Sequence, residues 1–444
     1  MSGRPSSELA TIYQRPAELL QNLIRFNTTN PPGNEAECVK YIDNILTSAG
    51  FETSILANDS ARPNLVARLT GESKAKSLLL YGHVDVVSTE NQKWQHPPFE
   101  GKVVDGYVWG RGALDDKGGV AMLLAAFLRA KAEELTPPGD VVLVIVSDEE
   151  SGGEYGARYL VENHAELFEG IRYAIGEFGG FTSYIGKHKF YPIMVAEKQP
   201  CKVRATVRGP GGHGSLPVRG GVTVRLTRLL QRLDECRSPV HITPVVRQMF
   251  ETMISSVTFF TGMGLRLLLN PALTGIMLNF LGELRRDLEP LLHNTFNVTS
   301  IQGGGPTLII PSEIVVEIIG SILPGYSPDD FLSDLRQIVG DEVELEIVYS
   351  EPAPPKPDMG LFNTLRDILL EVDPEGTPVP LLLPSPTDGR TFSRLGIQTY
   401  GFLPMNLPPD FNFSRIIHAA DERVPVEAIE FGTTAIYRLL QRFC

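Results

Sequence analysis

Three short apolar runs, each ending in acids or an imidazole, limit what this chain can fold into. They are SLLLYGHVDVV (77–87), VVLVIVSDEE (141–150) and RYAIGEFGG (172–180). A run this apolar, followed at once by polar residues, reads as a buried parallel strand reaching its C-terminal edge. Helical patterns at 120–134 and 157–168 lie between them. Strands alternating with helices argue for an α/β sheet, in which sites gather outside the carboxyl ends of the strands. His83, Asp85, Asp148, Glu149, Glu150 and Glu177 all fall at those ends.

The 444 residues exceed one ordinary core, so two domains are expected. Near residue 198 the pattern changes. KVRATVRG (202–209) alternates like a half-exposed strand, a helix follows at 222–235, and strands at 316–323 and 342–349 flank a helix at 328–338. This describes a small α+β sandwich inserted into the α/β domain. The expected division is 1–197 and 351–444 for the larger domain and 198–350 for the insert. An apolar stretch lies at 249–292, and a proline-rich linker at 351–358 leads back.

The net charge of −13 argues against a nucleic-acid partner. Cys38, Cys201, Cys236 and Cys444 are widely spaced, so neither a disulfide framework nor a thiolate zinc site is expected. The first residues, MSGRPSSELATIYQRP, lack the apolar core of a signal peptide. Residues 253–282 are interrupted by Arg266 and Asn270-Pro271, leaving no uncharged piece of the roughly 18 to 20 residues a membrane span needs. No membrane partner and a cytoplasmic location are therefore expected.

Carboxylates and imidazoles drawn from His83, Asp115, Glu149, Glu150, Glu177 and His418 suit zinc, and manganese or cobalt would also fit. The set exceeds one tetrahedral site, but two metals sharing a carboxylate would use it. Asp115, in the glycine-flanked GRGALDDKGG loop, is the natural bridge. Two such metals polarise a carbonyl and activate a water, and a nearby free carboxylate must then shuttle the proton.

YGHVDVV, W-x-x-x-P-F (94–99), GRGALDDKGG (110–119), SDEESGGEYGA (147–157), GPGGHGSLP (209–217) and HAADER (418–423) resemble one family across nearly the whole chain. It is metallopeptidase family 20, which includes aminoacylases, carboxypeptidases G and S, and succinyl-diaminopimelate desuccinylase. The resemblance implies a zinc-peptidase-like catalytic domain with a central, mostly parallel sheet and an inserted lid or dimerisation domain. It implies that His83 binds one metal with Asp85 orienting it, and that Asp115 bridges and is followed by an unusual peptide bond to Asp116. Glu149 would be the general base and Glu150 a ligand of the second metal. Glu177 would complete the first shell and His418 the second. His213 would reach the active site of a neighbouring subunit and stabilise the oxyanion, so a homodimer is implied.

Two departures from the family pattern bear on substrate. Leu308 stands where an asparagine is usual, and Ile319 and Ser321 replace an acid and an arginine. In the family that asparagine and that arginine hold a substrate carboxylate, so a bidentate anion clamp is missing. Arg390 in PTDGRTF is the remaining candidate anchor, and the apolar stretch at 249–292 resembles the lid insertion of the carboxypeptidase S-like branch. The expected activity is hydrolysis of an amide or peptide bond in an N-acyl amino acid or small peptide. Dipeptidase or carboxypeptidase action is the alternative, and a silent binding protein on the same fold is disfavoured because the base and every ligand are present.

Overall fold

The computed structural model describes residues 9–282, 285–305, 308–352 and 356–444. The middle of the expected linker (353–355) and the first eight residues lie outside them. The chain divides into two compact units. One comprises Met1–Val195, Pro357–Leu381 and Thr387–Cys444; the other comprises Ala196–Lys356 and Leu382–Pro386.

The first unit is built on a mixed sheet. Its strand order is Thr53–Leu56, Asn64–Leu69, Val141–Val146, Ser77–His83, Ile171–Gly176, Gln398–Gly401, His188–Glu197 and Thr377–Leu383, with Ser183–Ile185 beside His188–Glu197. The four strands from Val141–Val146 to Gln398–Gly401 are mutually parallel. Antiparallel pairs flank them. Every residue of Val141–Val146 is buried, as a strand covered on both faces requires. Register brings the strand ends level: His83 pairs with Val146, so residues 147–150 emerge beside 84–85.

Helix Lys117–Ala132 is buried on nearly all sides, which its Ala- and Leu-rich KGGVAMLLAAFLRAKA sequence permits. It packs on strand Ser77–His83 and between helices Pro16–Ile24 and Val426–Leu440. Gly82 makes the close approach possible, since a Cβ there would lie 2.6 Å from Asp116 Oδ2.

The second unit has an antiparallel sheet ordered Thr295–Gly303, Glu313–Ile322, Gln199–Arg208, Glu344–Ser350. Alternate residues of Gln199–Arg208 are buried, and helices Val222–Glu235 and Pro328–Val339 cover that face in one core with Val203, Val316 and Ile318. Ser327 and Asp330 form a capping box at the start of the second of these helices. The apolar stretch folds as helices Pro244–Ser256, Phe259–Leu268, Pro271–Phe280 and Arg285–Leu292. No described helix is long and apolar enough to cross a membrane.

Some elements differ from expectation. Near the N-terminus Ile12–Gln14 is a 3-10 turn, and the α-helix begins only at Pro16, whose fixed φ and missing N–H suit the first helical position. Strands His188–Glu197, Thr295–Gly303 and Thr377–Leu383 carried no signal strong enough to be anticipated. Thr377–Leu383 holds two prolines and stands at the sheet edge, where proline is tolerated.

Candidate metal centre

Three parallel strand ends and two loops of the first unit build the centre. His83 closes its strand, and its Nδ1 lies 3.0 Å from the Asp85 carbonyl oxygen and 3.4 Å from Asp85 Oδ1. Asp85 is fully buried and fixed from several sides. It accepts hydrogen bonds from Asn30 Nδ2 at 2.8 Å and from the backbone N–H groups of Glu149 and Glu150 at 3.1 and 3.2 Å. With Nδ1 engaged, Nε2 of His83 is directed at Asp115 Oδ1, 3.1 Å away, and at Glu177 Oε2, 3.4 Å away.

The other oxygen of Asp115 faces a second imidazole: Oδ2 lies 2.9 Å from His418 Nε2, which is also 3.2 Å from Glu150 Oε1. One carboxylate thus stands between two half-sites, His83 with Glu177 and His418 with Glu150. The Asp115–Asp116 peptide bond is cis. Ligand atoms of His83, Glu149 and Glu177 lie within 4.8 Å of one another, as do those of His83, Asp115 and Glu150. Glu149, expected as base, therefore faces the His83–Glu177 side.

Apart from Asp148, which falls at a strand end, the supporting residues were not picked out from sequence. Arg111 and Glu422 form a buried ion pair. Glu422 Oε1 accepts from the N–H groups of Leu114 and Asp115 at 2.8 and 3.3 Å, while Arg111 and Gln92 both donate to the carbonyl oxygen of His418. One pair thus holds the bridging acid and the second imidazole in common register. The Glu149–Glu150 turn starts at Asp148, whose φ is +71°, and Asp148 is bound by Asn30, Arg62 and the Tyr155 N–H. Arg62 in turn pairs with buried Glu35. Asn30 lies in the turn-rich stretch TTNPPGNE and Glu422 in HAADER, and nothing in either stretch marks these two as supports of the ligands.

The charges explain one another. Burial works against the His83 imidazolium, but Asp115, Asp85 and Glu177 hold its pKa well above the ordinary value. Hydrogen bonds to Asp115 and Glu150 push His418 up to about 10. Burial, then the Glu177 carboxylate, pushes Glu149 well up. Among the described residues neither oxygen of buried Glu177 accepts a well-formed hydrogen bond, the nearest donor being His83 Nε2 at 3.4 Å. Buried acids crowded this closely, with acceptors left over and only two imidazoles among them, fit divalent cations.

The two other expected site residues, Arg390 and His213, are carried by different elements. Arg390 lies on helix Gly389–Ser393, two residues after Asp388, a buried acid pushed up to about 7 by burial against the pull of Arg390. His213 belongs to the second unit. It is exposed on a two-stranded ribbon where Gly212–His213 pairs with Ile309–Ile310, and its Nδ1 lies 2.7 Å from Ser215 Oγ.

Comparison with known proteins agrees with the motifs. The model of peptidase family M20/M25/M40 matches residues 79–442. A probable carboxypeptidase S-like protein of Dictyostelium discoideum is 26% identical over 412 residues, covering 88% of this chain and 76% of that protein. A human N-fatty-acyl-amino acid synthase/hydrolase is 26% identical over 420 residues, covering 91% and 82%. Among solved structures, a dinuclear metal binding peptidase of Bacillus subtilis superposes with a TM-score of 0.60 at 13% identity, over 97% of each chain. The chain belongs to peptidase family M20/M25/M40, and it is a hydrolase of that metallopeptidase and amidohydrolase group.

Proposed function

We propose that this protein hydrolyses the amide bond of an N-acyl amino acid with an apolar acyl group, using two divalent cations. The observation that carries the reading is Asp115, whose two oxygens face two different imidazoles at 3.1 and 2.9 Å. His83 and Glu177 would hold one cation, His418 and Glu150 the other, and Asp115 both. The donor set suits zinc, with cobalt or manganese fitting the same residues. When bound, such a pair supplies Lewis-acid polarisation of the carbonyl and lowers the pKa of the attacking water.

The chain's own residues do the rest. Asp85 fixes the His83 ring through Nδ1. Glu149 takes the proton of the attacking water and delivers it to the leaving amine, and the high proton affinity that burial and Glu177 give it suits a group that must hold that proton. His213, from the second unit of a partner copy in a homodimer, would donate to the developing oxyanion. The second unit, from about 196 to 356, would then act as lid and dimerisation domain. Arg390 would anchor the free carboxylate of the leaving amino acid. The four free thiols fit a reducing compartment such as the cytoplasm.

Two features support an apolar acyl group: the human relative's named substrate class, and Leu308 and Ile309, both exposed on the ribbon that carries His213. The test is a substrate panel after loading with zinc, manganese or cobalt. N-acyl amino acids of increasing chain length should be cleaved faster as the chain lengthens. Preference for unmodified dipeptides would replace this reading with the dipeptidase one, and no turnover of either class with any metal would overturn both.

A further inference from the structure

Helices Phe259–Leu268 and Pro271–Phe280 are joined by only Leu269 and Asn270 and pack on each other, so they run as a hairpin. Its inner side is ordinary core, with Gly262, Leu265, Leu268, Thr274 and Leu278 buried. Its outer side is not. Phe259, Phe260 and Phe280 are 76%, 80% and 80% exposed, with Met263 at 46% and Ile276 at 56%. The hairpin brings the start of one helix toward the end of the other, and all five of these residues fall in the halves of the two helices away from their connection. Every phenylalanine of the exposed class among the described residues is there.

The surroundings say what kind of surface this meets. Residues 252–265 and 267–282 contain no charged side chain, so the open end of the hairpin can enter an apolar medium without stripping an ion of water while Arg266 stays outside it. Beside it, Arg247, Glu251, Ile254, Ser255, Arg266 and Leu269 line an open recess of about 650 Å³. Neither arginine pairs with an acid among the described residues, although Glu251 shares the recess. Arg266 lies seven residues after Phe259, on the same helical face as Phe259 and Met263. An aromatic tip with basic residues behind it is the layout of a segment resting in a lipid headgroup layer.

A protein partner fits less well. A side chain four-fifths exposed has no neighbours forming a wall, so these phenylalanines project as separate points and make no groove for a peptide or helix. A stable protein interface needs about 800 Å² of fitted surface on each side. A fluid bilayer conforms to projecting points.

We propose that this hairpin docks the protein on a phospholipid surface. The phenylalanines enter the boundary between headgroups and acyl chains, and Arg247 and Arg266 meet headgroup phosphates. This revises the expectation of no membrane partner, which rested on the length needed to span a bilayer and not on resting in its surface.

Flotation of the full chain with phosphatidylcholine vesicles containing a minor fraction of phosphatidylglycerol tests it. Wild type should float with the vesicles, and the combined Phe259→Ser, Phe260→Ser and Phe280→Ser variant should lose roughly tenfold or more of its partitioning. Thermal midpoint and turnover of a short-chain soluble substrate should stay unchanged in that variant, because the three side chains are exposed. Arg247→Gln with Arg266→Gln should weaken binding and flatten its salt dependence. Wild type that does not float, or a triple variant that floats as well as wild type, overturns the proposal. Wild type that self-associates through these phenylalanines without floating overturns it in favour of a second copy of the chain.

Discussion

At Asp115 two carboxylate oxygens face imidazoles that lie 335 positions apart in sequence, and the side chains around it divide into those that would bind metal and those that only hold others in place. Glu149 and Glu150 show the division most closely. Both donate their backbone N–H to Asp85, yet Glu150 points to His418 while Glu149 faces His83 and Glu177. If Glu149 is the proton shuttle, Glu149→Gln should lower kcat by about 10²- to 10⁴-fold. Metal analysis should find the full complement retained, and loss of metal would mean that Glu149 is a ligand. Glu422 binds Arg111 and accepts from the Asp115 backbone N–H, so it acts on the bridging acid through its backbone. Glu422→Gln should therefore weaken metal affinity by about 10- to 100-fold in a chelator competition, with little change in kcat at saturating metal. The ligand candidates were legible in the sequence because each stands at an apolar strand end or within a family motif. Asn30 was not, and Arg111 and Glu422, though inside two of those motifs, gave no sign of their role, because all three act through backbone groups and buried side-chain pairs that only the folded chain brings together.

At the scale of elements, the parallel core was readable and the edges were not. Continuous runs such as VVLVIV can be satisfied only by cover on both faces, whereas Thr295–Gly303, with its alternating polar residues, resembles loop as much as strand. Glycines give a sharp test of packing in the second unit. A Cβ on Gly320 would lie 1.9 Å from the Phe331 ring, so this glycine lets helix Pro328–Val339 sit close on the sheet. Gly264, in helix Phe259–Leu268, has nothing within 4 Å of its ideal Cβ. Gly320→Ala should destabilise by about 1–3 kcal/mol through overpacking. Gly264→Ala should stabilise by up to about 1 kcal/mol through helix propensity. Denaturant midpoints of the two variants should move in opposite directions; movement in the same direction would contradict the packing described.

At the scale of the whole molecule, the first unit carries every metal-ligand candidate and the base, and the second carries His213 and the helical insert. The change of pattern near residue 198 was visible in the sequence. That Leu382–Pro386 joins the second unit was not, because five residues carry no periodicity of their own. If His213 serves a partner's site, His213→Ala and Glu149→Gln chains should each be nearly inactive alone. Mixed in equal amounts under conditions of subunit exchange, they should recover about a quarter of wild-type activity, since half the dimers are mixed and each has one intact site. Exchange without recovery would show that His213 acts in its own chain or only in the fold.

The central claim is a pair of cations bridged by Asp115, and metal content per chain tests it most directly. Elemental analysis of protein loaded with zinc and freed of excess should find about two ions in wild type. Glu177→Ala and His418→Ala, each removing a ligand from one half-site, should fall to about one, while Asp115→Ala should fall below one. A wild-type protein fully active with a single bound ion would contradict the account.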